Sequence, residues 1–448
     1  MALNSVSLAA RTAYADLVER CFAAAFEQSF ANDGAFTAKT VRGRRYWYFQ
    51  SSDGEKRRQT YVGPETEELL DRIGQHRSVL DDERDRRSLV SMLVRSAYLP
   101  SPDRRIGEVV AALERAGAFR LRAVLVGTIA YQTYSAMLGV RLPAATMQTG
   151  DVDIAQHRTI SLAAKDSTPP PLEILREVDP SFRPTPHAGD PRSSTSYRAT
   201  GGLRVDFLTP NRGADTDEPV ALPSLSTDAQ PLRFLDYLIH EPVRAVLLHG
   251  SGVPVITPAP ERYALHKLII TQRRRRGSEK GSKDVAQAEA LLDVFTSRKS
   301  HELSTAWAEA WVRGKAWRGL LGQGMTLLSD NVRDRTLQTV GATRSIVPGL
   351  DLTFSDPPAR YDVNRQVLTF WADAGGARHR CAVSRESLED HFGSVGAIKE
   401  GAAIAFRAHR GEIERLLREK YLNSKIQDLH ETILRTADVE LLRMSPRR

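Results

Sequence analysis

The chain has 448 residues, 41% of them hydrophobic and 26% charged, with a formal net charge of +8 at pH 7. That length allows two to four domains of roughly 100 to 200 residues each, and the balance excludes collagen-like, disordered and disulfide-stapled chains. The surplus of lysine and arginine points to a polyanionic partner, a description that a nucleic acid and a nucleoside triphosphate meet equally well.

Met1 to Phe30 is alanine-rich, but Arg11, Asp16, Glu19 and Arg20 interrupt any apolar run that would serve as a secretory signal, so a helix in a cytoplasmic protein is expected. No stretch approaches the roughly 20 apolar residues of a membrane span. Cys21 and Cys381 stand in unrelated contexts and read as small core residues. Tyr46 to Phe49 and Arg57 to Val62 flank Asp53-Gly54 as a hairpin, and Glu65 to Val79 and Asp82 to Val94 carry helical spacing. Arg45, Lys56, Arg57 and Arg58 interleave there with aromatic residues, a mixture that either packs one face of a ribbon or stacks on bases.

After the break at Leu99-Pro100-Ser101-Pro102 the pattern alternates: helix over Ile106 to Ala116, strand over Ala123 to Val126, and helix over Ile129 to Leu138 closed by Gly139. The proline-rich segment from Ser167 to Pro191 reads as loop, Leu203 to Leu208 as strand, and Glu261 to about Val340 as a helical block. Beyond Val347-Pro348-Gly349, a second hairpin over Val367 to Ala372 and Arg378 to Val383 turns at Gly375-Gly376, followed by helices at Ser384 to Phe392 and His409 to Tyr421. His391 and His409 read as structural histidines. The expected domains are 1–100, 101–260, 261–345 and 346–448.

Three elements in order carry the chemistry: Gly127-Thr128 at a helix start, Asp151-Val152-Asp153-Ile154, and Val205-Asp206-Phe207. Residues i and i+2 of a strand share a face, so Asp151 and Asp153 point together while Val152 and Ile154 face the core. The same alternation sends Asp206 away from Val205 and Phe207. Three such carboxylates form a candidate Mg²⁺ site, and the glycine turn with free N–H groups offers a phosphate cradle to which Thr128 adds a hydroxyl. An isolated Asp-x-Asp is otherwise a solvated strand end.

This ordered set resembles the polymerase β nucleotidyltransferase superfamily, and a bacterial branch of it in particular, over roughly residues 105 to 300. The resemblance implies an α+β fold with a mixed-sheet core flanked by helices, a helical domain after it, and a small α+β C-terminal domain similar to a bacterial domain of unknown function. It makes Gly127 and Thr128 the phosphate-binding turn, Asp151 and Asp153 the metal ligands, and Asp206 the third carboxylate, able also to activate an acceptor hydroxyl. Thr128 stands where the family has serine, and the spacer to Asp151 is longer, implying an excursion through Gly139 to Gly150. Lys267, then Arg274 or Lys283, match the basic position on the following helices that contacts the triphosphate, with solvated surface charge as the other reading. Arg273 to Arg276 would alternatively track a nucleic-acid backbone.

The expected activity is Mg²⁺-dependent transfer of a nucleoside monophosphate from an NTP, such as ATP, to a hydroxyl acceptor, with RNA or tRNA favoured and a toxin-like role as a special case. The competing reading is a catalytically silent nucleic-acid-binding or assembly protein that keeps the fold.

Overall fold

A computed structural model of the chain describes residues 4–29, 35–41, 44–53, 56–75, 83–211, 213–275, 277–342, 346, 352–354, 359–374, 377–395, 398–423 and 431–444. Gly54, Arg276, Val347-Pro348-Gly349 and Gly375-Gly376 lie outside the described residues. The chain divides into two compact units, residues 1–266 and 267–448. Among the described residues no helix is long and apolar enough to cross a membrane.

The first unit begins with α1 (Leu8–Ser29), a three-stranded antiparallel sheet of β1 (Ala35–Val41), β2 (Arg44–Asp53) and β3 (Lys56–Pro64), then α2 (Glu67–Gln75) and α3 (Glu83–Arg95). The expected hairpin is β2–β3, paired out to Asp53 and Lys56. β1 joins it as a third strand that the sequence pattern did not announce, setting Phe36 against Phe49. Its aromatic residues pack: Phe49 is 2% exposed, Tyr48 is buried, and the Trp47 indole N–H donates to Glu65 at 2.9 Å. Leu17, Cys21, Val90 and Leu93 hold α1 and α3 in one apolar cluster. Cys21 and Cys381 are both buried thiols, the latter pushed up to about 12 by burial.

α4 (Arg104–Arg115) starts where the Asp103 side chain accepts from the Arg105 backbone N–H at 2.9 Å. Then come β4 (Val124–Val126), α5 (Gly127–Leu138), β5 (Asp151–Ala155), α6 (Arg158–Ala163), α7 (Pro171–Val178), β6 (Arg183–Thr185), β7 (Ser196–Arg198) and β8 (Arg204–Pro210). β9 (Val220–Leu222), β10 (Thr227–Leu232), α8 (Leu235–Leu238), β11 (Val243–Leu247), β12 (Val253–Thr257) and α9 (Pro260–Thr271) follow, with α9 running across the boundary between the units. The central sheet has the order β4-β5-β8-β10-β9. β7 takes the first half of the free edge of β8 and β10 the second half, while β6 pairs β7. Leu125, Val152, Ile154, Val205 and Phe207 face one core with Ile106, Val109, Val110 and Leu113 of α4.

The segment from Ser167 to Pro191 is not all loop: it contains α7 and β6. Pro171 occupies the first turn of α7, where a missing N–H costs nothing, and Ile174 and Leu175 are buried against the core. The prolines therefore start the helix rather than forbid it.

Glu114, near the end of α4, is pushed up to about 7, first by burial, with Arg115 and Arg86 pulling the other way. A carboxyl raised in the fold stabilises it fully below the ordinary range near 4.5 and loses that contribution as pH rises through about 7. Glu114→Gln is therefore expected to raise the melting temperature at pH 8, by at most about 3 kcal/mol of stability, and to change it little at pH 4. Equal shifts at both pH values in calorimetry would contradict the assignment.

The second unit carries α10 (Glu279–Arg298), α11 (Ser300–Val312), α12 (Lys315–Met325) and α13 (Asp330–Thr339). Its C-terminal part comprises β13 (Leu352–Thr353), β14 (Arg360–Asp362), β15 (Val367–Ala374), β16 (Ala377–Ser384), α14 (Arg385–Phe392), α15 (Ile398–Asn423), β17 (Glu431–Leu434) and α16 (Thr436–Met444). The sheet runs β13-β15-β16-β17, with β14 also on β15, and Leu368, Phe370, Cys381 and Val383 bury one face against the helices. His409 marks a kink in α15 and its ring lies 5.6 Å from that of Phe392, a packing contact.

Candidate active site

The register of the central sheet decides the geometry. β5 and β8 are parallel neighbours with Asp153 directly beside Asp206, and Asp151 beside Arg204. In-register neighbours in a sheet point to the same face at about 4.8 Å between strands, whereas Asp151 and Asp153 stand about 6.6 Å apart along one strand. All three aspartates are half-buried and share the face opposite the apolar core, with Val152, Ile154, Val205 and Phe207 on the other side.

β4 delivers the glycine turn to the same place, because it pairs antiparallel with β5 and sets Val126 opposite Asp153. Gly127, the next residue, starts α5 with φ +68, and a Cβ built on it would stand 2.1 Å from Oδ2 of Asp153. Only glycine fits a position that is both left-handed and pressed against a carboxylate. The Tyr263 hydroxyl donates to the Gly127 carbonyl at 3.0 Å and fixes the turn from α9. Thr128, half-buried, is the second residue of α5, so its backbone N–H lies among the free donors of the helix start. The long spacer does not separate turn from aspartates: Gly139, φ 62, ends α5, and the Gln132 side-chain amide donates to the Met147 carbonyl at 2.9 Å, folding the excursion back.

Sequence reasoning missed two members of this face. Arg204 Nε donates to Asp206 Oδ1 at 2.7 Å and to Ser196 Oγ at 3.0 Å, and Ser196 pairs with Asp206 across β7 and β8. The signal was present, since the alternation that turns Asp206 outward turns Arg204 outward too. Among the described residues, no three His, Cys, Asp or Glu side chains already converge as an ion cage. The donor set still fits Mg²⁺, which takes one or two carboxylates from protein and completes its shell with water and substrate phosphate.

Two of the basic helical residues meet at one carboxylate. Lys267, buried at 7% exposure, donates from Nζ to Asp284 Oδ1 at 2.5 Å, and Arg274 Nε donates to Oδ2 of the same carboxylate. Helical spacing placed Lys267 at the edge of an apolar face, but its partner comes from another helix, α10, which local periodicity does not reveal. Lys283, beside Asp284, is half-buried.

Residues 104–312 match a family model described as Nucleotidyltransferase. Residues 352–434 match one described as Protein of unknown function (DUF1488), and residues 11–71 one described as Domain of unknown function (DUF6788). No curated protein matches the chain. Among solved structures, the chain is similar to an antigenic nucleotidyltransferase-like protein from Paracoccidioides brasiliensis, at 18% identity over 50% of this chain and 94% of that one, with a TM-score of 0.24.

Proposed function

From the premise that residues 104–312 are a nucleotidyltransferase-family domain, we propose that the protein moves a nucleoside monophosphate from an NTP to a hydroxyl acceptor, with RNA as the acceptor. The observation that carries this reading is the juxtaposition of Asp153, Asp206 and the left-handed Gly127 on one face of the sheet. Asp153 and Asp206, with Asp151, would hold Mg²⁺, which when bound supplies charge neutralisation at the reacting phosphate. The N–H groups at the start of α5 and the Thr128 hydroxyl bind phosphate oxygens, and the glycine lets them approach. Asp206 Oδ2 accepts no hydrogen bond among the described residues and would take the acceptor's proton. The formal charge of +8 supports a polyanionic acceptor.

The test is incubation with each α-labelled NTP, Mg²⁺ and total cellular RNA, then with a protein mixture in place of RNA. Label in RNA, lost with EDTA, is the expected result. Label in protein would overturn the acceptor and keep the reaction class, and RNA binding in EDTA with no transfer at all would favour a binding module.

A further inference from the structure

Arg204 and Asp206 sit two residues apart on β8, on the face that also holds Asp151 and Asp153. Two carboxylates in lateral register repel unless a cation lies near them, and the Arg204 guanidinium, 2.7 Å from Asp206 Oδ1, supplies one. Its Nε is committed to Asp206 and to Ser196, whereas Nη1 and Nη2 make no hydrogen bond among the described residues. The Arg204 side chain is 38% exposed and that of Asp206 13%. An arginine anchored by one nitrogen, with its outer fork turned to no protein group, is built to grip an oxyanion in two-pronged fashion.

We infer that Arg204 is a positioning and substrate-binding residue with two alternating partners. Without ligands it serves as the internal counter-ion of Asp206. When a divalent ion takes that carboxylate, the guanidinium is released to a phosphate oxygen of the nucleotide. Metal and polyphosphate therefore favour each other's binding, because each removes what the other must displace. This rests on the reading of Asp153 and Asp206 as metal ligands, and the two ideas fail differently.

The experiment measures Mn²⁺ binding to the full-length protein by calorimetry, with and without inorganic tripolyphosphate, which avoids any assumption about the base. For Arg204→Ala, Mn²⁺ alone is expected to bind about tenfold tighter than to wild type, since a charged hydrogen bond no longer competes for Asp206. In saturating Mn²⁺, tripolyphosphate is expected to bind about tenfold more weakly. Arg204→Lys, which keeps the charge and loses the fork, should leave Mn²⁺ affinity near wild type while still weakening tripolyphosphate. Opposite shifts are the signature, because a merely structural arginine would weaken both ligands together. Unchanged or weaker Mn²⁺ binding by Arg204→Ala overturns the exchange while leaving the acidic site intact. Wild-type Mn²⁺ affinity in both Asp153→Asn and Asp206→Asn removes the site itself, and the role of Arg204 with it.

Discussion

Asp153→Asn and Asp206→Asn are each expected to lower the proposed nucleotidyl transfer by on the order of 10³-fold or more, with little change in fold. The magnitude follows from electrostatics: these carboxylates would hold the cation that offsets charge where it develops, and a neutral amide of the same shape binds it far more weakly. Both side chains are half-buried on the outer face of the sheet rather than in its core, so the substitution disturbs no packing. Asp206→Asn also frees Arg204 from its ion pair at 2.7 Å, a partly buried contact whose loss costs on the order of 1 kcal/mol of stability. Single-turnover kinetics with labelled NTP, read beside thermal melts, separates the two effects. Activity within tenfold of wild type in either variant would refute the site.

Gly127→Ala is expected to damage both stability and the proposed chemistry. The residue has φ +68, a region that costs an L-residue roughly 1 to 2 kcal/mol, and the added methyl would lie 2.1 Å from Asp153 Oδ2. Either the carboxylate swings away or the start of α5 shifts, and a displacement of about 1 Å in such a site costs on the order of 100-fold in rate. The expected result is a loss of about 2 to 3 kcal/mol in denaturant unfolding together with that drop in turnover. A variant as stable as wild type would mean the turn relaxes freely, against the tether from Tyr263.

The common facing of the three aspartates was legible because their strands obey a local rule. Val152, Ile154, Val205 and Phe207 announce two strands by alternation, and the aspartates between them have nowhere to point but outward. Gly139 as a helix stop was equally local, and φ 62 is the conformation such a stop needs. Some of what escaped was short or distant, although β1, β10, β11 and β12, of five to seven residues, went unannounced as well. β6, β7 and β9 span three residues each, too few for a period to show, and α7 was masked by the prolines that begin it. The clasp of Lys267 and Arg274 on Asp284 joins residues on two helices, a partnership no single-helix pattern encodes. Arg204, two residues before Asp206 on the same strand, follows the same alternation and faces outward with it.

The parallel pairing of β5 with β8 has a consequence for the nascent chain. Parallel strands cannot be joined by a tight turn, so the whole stretch of residues 156–203 must leave the ribosome before β8 can dock. Until then β5 waits with a bare edge, the kind that recruits stray strands from other molecules. Asp151 and Asp153 put two negative charges on that waiting strand, and charge at an open edge discourages such pairing.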